Sequence, residues 1–171
     1  MKIFITFLLI NISLIAGIFD FNTISSDFNQ TITNDENSKI TYEGSFYATT
    51  ESKALWIYKS PIEKKIYFNK NQVVIVEPDL EQVIVTNLQN IPNLTELLKS
   101  SKKIKKDLYE AIYEDMKYEI VTSNEQITKI TYKDRLDNRI SIDLFNQSIN
   151  TFLDENLFKI QIPKGYDVVT Q

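Results

Sequence analysis

Apolar and polar residues alternate along this chain with a period of two in segment after segment, as strands that bury one face require. Phe28-Asn29-Gln30-Thr31-Ile32-Thr33 alternates and runs into a polar turn at Asn34 to Ser38. Ile40, Tyr42, Gly44, Phe46 and Ala48 then share one face, with Thr41, Glu43, Ser45, Tyr47 and Thr49 on the other. Ala54 to Lys59 follows and stops at Ser60-Pro61, and Ile62 to Phe68 alternates again, Ile66 and Phe68 opposing Lys65 and Tyr67. Asn69-Lys70-Asn71 and Glu77-Pro78-Asp79 have turn compositions. Between them Val73 to Val76 is apolar on both faces, which predicts a strand covered on both sides. Pro92 marks the start of one helix, with Leu94, Leu97, Leu98, Ser101 and Ile104 on one stripe. Strands then resume. Leu108 to Tyr113 is read as one, although a helix would accept the same residues. Tyr118, Ile120 and Thr122 mark the next; Ile130 and Tyr132 precede a polar turn at Asp134 to Asn138. Ile140, Ile142 and Leu144 oppose Arg139, Ser141 and Asp143, and Phe158, Ile160 and Ile162 oppose Lys159 and Gln161 in a last predicted strand.

About ten sequential strands joined by short turns predict a mainly β domain built on a strongly curved antiparallel sheet. Such a sheet encloses more volume than its own side chains fill, and one short helix does not fill the rest. The pattern alone leaves two outcomes open: a concave apolar surface beneath a helical cover, or a filled sandwich. Lys102, Lys103, Lys105 and Lys106 lie just after the helix stripe. They read either as a docking patch for an acidic partner or phospholipid surface, or as a solvated helix end.

The N-terminus changes where this domain is expected to work. Met1-Lys2 is a short positive region, Ile3 to Ile15 is apolar but for Thr6, Asn11 and Ser13, and Ala16-Gly17 offers small residues at a cleavage point. Residues 1–17 therefore read as a secretory signal, with residues 18–171 as a single domain. The chain has no cysteine, hence no disulfide framework and no cysteine to carry a lipid. A formal net charge of -4 argues against a nucleic-acid partner.

The absence of histidine and cysteine removes Ser-His-Asp and Cys-His nucleophilic systems and the zinc sites those ligands build. With glycine only at Gly17, Gly44 and Gly165, no phosphate-cradling loop can form. The carboxylate pairs Asp79 with Glu81, Glu114 with Asp115, Asp134 with Asp137, and Asp154 with Glu155 all fall at predicted turns or strand ends, where solvated acids are ordinary. No enzyme activity, cofactor or metal is expected.

Five segments, in order, resemble the LolA family of periplasmic lipoprotein carriers. Asp27-Phe28-Asn29-Gln30-Thr31-Ile32-Thr33 is similar to its Phe-x-Gln strand, and Tyr42-Glu43-Gly44-Ser45-Phe46-Tyr47 to its Gly-x-Leu-Trp strand. Trp56-Ile57-Tyr58-Lys59-Ser60-Pro61 resembles a Trp-x-Tyr-x-x-Pro element, and Val76-Glu77-Pro78-Asp79-Leu80-Glu81-Gln82-Val83 a Tyr-Asp-Pro-x-x-x-Gln hairpin. Phe158 to Val169 resembles the closing Phe-x-Phe-x-Pro-Pro-x-Gly-x-Asp-Val. The resemblance implies an incomplete, unclosed antiparallel β-barrel of about ten or eleven strands, with a short helical lid over an apolar cavity for lipoprotein acyl chains. It also implies a monomeric periplasmic protein that receives triacylated outer-membrane lipoproteins from the inner-membrane Lol ABC transporter. A lipid-sensing regulatory domain on the same half-barrel is the alternative.

Two departures from the family are visible. An Arg usually stands six residues before the Trp, holding the lid shut; here that position is Thr50, with Lys53 nearby but off register. The family's first helix precedes the Phe-x-Gln strand, yet only a short stretch separates Gly17 from Asp27. A looser lid and handover directly to the membrane, without the acceptor LolB, are the expectation. Candidates for acyl contact come from the even-numbered faces and the lid: Tyr42, Phe46, Trp56, Tyr58, Ile66, Phe68, Val74, Val76, Ile140, Ile142 and Leu144, with Leu94, Leu97 and Leu98. Trp56 leads them, because the family places its matching strand in the concave wall.

Overall fold

The computed structural model describes residues 19–87 and 94–170; the expected signal segment, residues 1–17, and Pro92 lie outside these. The first six strands are β1 (Thr23–Thr33), β2 (Lys39–Thr49), β3 (Lys53–Ser60), β4 (Lys64–Asn69), β5 (Gln72–Glu77) and β6 (Gln82–Asn87). Helix α1 (Leu94–Ser100) follows. Then come β7 (Lys102–Lys105), β8 (Leu108–Tyr113), β9 (Met116–Ser123), β10 (Gln126–Lys133), β11 (Arg139–Ile149) and β12 (Asp167–Thr170). All twelve described strands belong to one sheet, in the order β12-β6-β5-β4-β3-β2-β1-β11-β10-β9-β8-β7. Its edges, β12 and β7, do not pair, so the barrel is unclosed as expected. Three of the twelve lie outside the predicted segments: β6 and the short edges β7 and β12.

The edges also carry the corrections to the sequence reading. Phe158 to Ile162 is not a strand: Glu155–Phe158 forms a 3-10 turn and the chain then crosses the sheet without pairing. Pairing begins only at β12, which runs parallel to β6. Helix α1 is shorter than its predicted stripe, because Ser100 and Ser101 donate their hydroxyls to the carbonyls of Leu97 and Leu98 and satisfy the helix end. Ile104, Lys102, Lys103 and Lys105 therefore sit on an edge strand and Lys106 in the turn after it, not on a helix end. Lys102 is paired across from Glu110, and the lysine-rich edge discourages further strand addition.

The centre of the sheet is where period two was cleanest. Phe28, Gln30 and Ile32 of β1 face Leu144, Ile142 and Ile140 of β11, and Phe28 and Gln30 face Gly44 and Tyr42 of β2. Gly44 is required there. A Cβ would strike the Ile57 carbonyl oxygen and come within 2.6 Å of the Phe28 ring, so only glycine lets that ring lie flat on the neighbouring strands.

The sheet buries a separate cluster on each face. The inner cluster includes Phe28, Phe46, Ile120, Ile130, Ile140, Ile142 and Leu144, with Leu97 and Leu98 of α1 laid against it. The outer cluster is Leu55, Tyr67, Val74, Val76 and Val83, covered by Phe158, Ile160 and Tyr166 of the crossing segment. In the strand of Val73 to Val76, Val74 and Val76 are buried on the outer side and Val73 on the inner, with Ile75 half-buried, so it is covered on both sides as its composition predicts.

A cavity on the inner face and the family it belongs to

Residues from β4 and from β8 line a single cavity of about 730 Å³, although β4 and β8 stand seven places apart in the sheet. Seven strand spacings laid flat would span roughly 34 Å, at about 4.8 Å each. The sheet must therefore curl to bring Phe68 and Tyr113 to one hollow. The cavity volume lies within the roughly 300–1,000 Å³ common for small-ligand sites.

Trp56 is the best-supported side chain in the wall. The Phe46 ring stacks on it at 4.9 Å and the Phe28 ring meets it edge-on at 4.9 Å. Each such pair is worth about 0.5–1.5 kcal/mol beyond area burial. Both partners are fully buried, and the indole looks into the cavity from this fixed seat. Tyr58, two residues on, packs edge-to-face on Phe28 at 5.1 Å and Tyr42 at 5.7 Å. Lys64 lies over the Tyr58 ring at 4.6 Å.

The structure divides the candidate residues into three groups. Trp56, Tyr58, Ile66, Phe68 and Ile142 line the cavity, with Leu94 and Leu97 contributed by α1. Phe46, Leu98, Ile140 and Leu144 are buried behind that surface, and Tyr42 packs partly exposed beside Tyr58. Val74 and Val76 lie on the opposite face, in the outer cluster. The cause is the hairpin between β4 and β5. Asn69 pairs with Gln72, so the loop is only Lys70-Asn71, and a two-residue loop sets even positions of one strand against odd positions of the next. Ile66 and Phe68 consequently oppose Ile75 and Val73, while Val74 opposes Tyr67.

Several lining residues escaped the sequence reading: Gln30, Tyr113, Tyr118, Ile130 and Tyr132. Their signal was present for Ile130, Tyr118 and Tyr132, which occupy the apolar faces of alternating strands. Gln30 was passed over because a polar residue is not counted as wall. It is nevertheless buried, and its Oε1 accepts a hydrogen bond from the Tyr58 hydroxyl at 2.8 Å. Burial pushes the Tyr58 phenol well above its usual range, with the Tyr132 and Tyr42 phenols adding to the effect. Burial likewise pushes Tyr132 up to about 12. The cavity thus keeps its phenols neutral at any physiological pH.

Thr50 is exposed in the turn before β3, far from acting as a latch; its backbone N–H bonds the Asn22 carbonyl at 3.0 Å. Lys53, which does line the cavity, is held instead by Glu155 at 3.0 Å and Glu51 at 3.3 Å.

On the outer face, Lys59 donates to the Ser45 hydroxyl at 2.8 Å and Ser45 donates to Asp27 at 2.6 Å. Asn146 donates to the second Asp27 oxygen at 2.9 Å. The Ser45 hydrogen bond, then that of Asn146, hold the Asp27 carboxyl below its usual range against the effect of burial. A serine already giving its proton to a carboxylate and receiving one from an ammonium has no free base beside it. This cluster ties β1, β2, β3 and β11 together. Among the described residues no three acidic, histidine or cysteine side chains are grouped to hold a metal ion. No helix among them is long and apolar enough to cross a membrane.

An unclosed sheet curled around an aromatic-lined hollow, with a short helix laid across it, defines a binder of apolar molecules. The model of the family described as outer membrane lipoprotein carrier protein LolA matches residues 20–161. The chain belongs to the LolA family. It is 44% identical, over 98% of both chains, to an outer-membrane lipoprotein carrier protein of Campylobacter jejuni. It is 34% identical, over 92% of both, to a protein of the same name from Wolinella succinogenes. A LolA superfamily protein of known structure from Nitrosomonas europaea shares the fold at a TM-score of 0.52 and 10% identity, covering 82% of this chain and 91% of that one.

Proposed function

We propose that this protein carries lipoproteins across the periplasm, taking their acyl chains into the cavity between the curled sheet and α1. The observation that carries the reading is the cavity of about 730 Å³ itself, walled by Trp56, Ile66, Phe68 and Ile142 and roofed by Leu94 and Leu97, in a chain whose relatives are named as carriers. A buried methylene is worth about 0.8 kcal/mol, so a 16-carbon chain in water faces a cost on the order of 12 kcal/mol. A hollow that removes part of that cost shields the cargo yet still releases it. In this reading the cargo is triacylated and comes from an inner-membrane Lol ABC transporter. The protein works as a monomer and without catalysis, and a small lid without an arginine at position 50 to latch it favours direct delivery to the outer membrane.

The test is recovery of the protein from the periplasm followed by mass spectrometry of what travels with it. Acylated N-terminal peptides of lipoproteins are expected on the wild type and absent from Trp56→Glu. Wild-type protein that never carries an acylated peptide, even when the transporter is present, would overturn the proposal.

A further inference from the structure

Among the polar groups that line the cavity, which include Lys53, Glu96 and Tyr113, one buried pair stands within the aromatic wall. Gln30 of β1 and Tyr58 of β3 line the cavity side by side, each less than a tenth exposed. They share a single hydrogen bond of 2.8 Å. Between them the amide and the phenol carry three polar hydrogens, and their mutual bond uses one. If Tyr58 donates to Oε1, the amide NH2 remains. If the amide is turned over and donates to the phenol oxygen, the phenol hydrogen and one N–H remain. Either arrangement leaves a donor at the wall, and neither group bonds any other described residue.

We propose that the Gln30–Tyr58 pair is a docking point for the carbonyl oxygen of an acyl ester or amide. The inference rests on the carrier reading and specifies which part of the cargo the cavity recognises. A hydrocarbon tail offers no acceptor, so an unused donor in its path would be a net loss. The linkage that joins a fatty chain to glycerol or to an amino group does offer one: a neutral carbonyl with two lone pairs. A carboxylate fits worse, because the surroundings that keep the Tyr58 and Tyr132 phenols protonated also disfavour a buried negative charge. The site would set how deep the linkage sits, whatever the length of the chains beyond it.

The experiment compares two ligands that differ only in their carbonyls: 1,2-dioctanoyl-glycerol and its 1,2-di-O-octyl ether analogue. Binding is followed by the fluorescence of Trp56, the only tryptophan in the chain. The wild type should prefer the ester by roughly five- to tenfold, as one hydrogen bond requires. The double variant Gln30→Leu/Tyr58→Phe should bind both ligands alike at the ether's affinity. A wild type that binds both equally overturns the docking point and leaves the acyl cavity standing. A preference that survives in the double variant overturns it as well. If neither ligand binds the wild type, the cavity is not an acyl site and both readings fall. An infrared spectrum of carbonyl-labelled dioctanoyl-glycerol on the wild type needs no variant to fold: a lowered, hydrogen-bonded carbonyl stretch is expected, and a free one overturns the inference.

Discussion

The two faces of the sheet are both apolar, yet one is sealed and the other is hollow. On the outer face, Val74, Val76 and Val83 lie under Phe158, Ile160 and Tyr166, which the chain brings across after β11. On the inner face, Trp56, Ile66 and Phe68 look onto open space that α1 covers only in part. Hydrophobicity does not separate the two; cover and chemistry do. The sealed face is mostly branched aliphatics, which fill space with stiff side chains and have no use for water. The hollow face mixes aliphatics with Trp56, Phe68 and the phenols of Tyr58, Tyr113, Tyr118 and Tyr132. Rings with one polar end tolerate an aqueous surface and an oily one alike, as a cavity that alternates between empty and loaded states must.

The largest predicted effect comes from placing a charge on each face. Val74 is 2% exposed with no polar group to receive it, so Val74→Asp should cost several kcal/mol, a large share of the roughly 5–15 kcal/mol that holds a domain folded. Thermal melting by circular dichroism should show the cooperative transition lost or lowered by more than about 15 °C. Trp56→Glu, on a wall open to the cavity, should stay folded with a far smaller shift. Equal damage from the two substitutions would mean that the inner face is as solid as the outer, and the distinction would collapse.

That distinction was only half legible in the chain. Alternation located β1 to β4 and β9 to β11, because each buries one face against a continuous cluster and its period survives intact. It failed at β5, where the two-residue Lys70-Asn71 loop exchanges odd for even and carries Val74 and Val76 to the far side. A three-residue turn would have kept them inside, and composition does not tell the two apart. Here the residues at positive φ are mostly not glycine: Lys70, Glu114, Asp115, Asn124 and Glu125 turn the hairpins. Alternation also misled at Phe158 to Ile162, where Phe158 and Ile160 dip into the outer cluster from above and mimic a strand that has no partner. The lysines of β7 were invisible as a strand, since an exposed edge has no apolar face to betray it. The family's segments gave the architecture, whereas Gln30 and Tyr113 needed coordinates.

A smaller effect separates the faces by pH. Tyr132 on the inner face is held up to about 12 by burial first and then by Tyr118 and Asp134, against 10.0 for a free phenol. The folded state therefore keeps a proton that the unfolded chain gives up. Stability is intact below pH 10 and falls as pH rises from 10 toward 12, by about 1.4 kcal/mol per pH unit for a tyrosine ionised only when unfolded. Tyr58 acts in the same direction, and on the outer face Tyr67 is raised too, by burial alone. Denaturant titrations between pH 9 and 11 should show a shallower loss in Tyr132→Phe than in the wild type. Tyr67→Phe should recover less. If Tyr67→Phe relieves more of the alkaline loss, the phenols of the hollow face are the better solvated ones, contrary to the cavity's construction.

The smallest effect concerns Tyr113, whose ring lines the cavity near α1 while its hydroxyl is buried with no hydrogen-bond partner among the described residues. Burial raises its pKa, and the Glu114 and Glu96 carboxylates raise it further. Leaving a hydroxyl unpaired costs about 1–3 kcal/mol, and removing it returns part of that. Tyr113→Phe should therefore stabilise the empty protein by about 1 kcal/mol, visible as a rise of about 2–4 °C in Tm. The same substitution at Tyr58 should lower stability, because there the hydroxyl is paired and Gln30 would be left without it. Two phenols on one wall would then respond with opposite signs. A fall in Tm for Tyr113→Phe would show that its hydroxyl is bonded in solution, and the hollow face would then have no idle polar group near its lid.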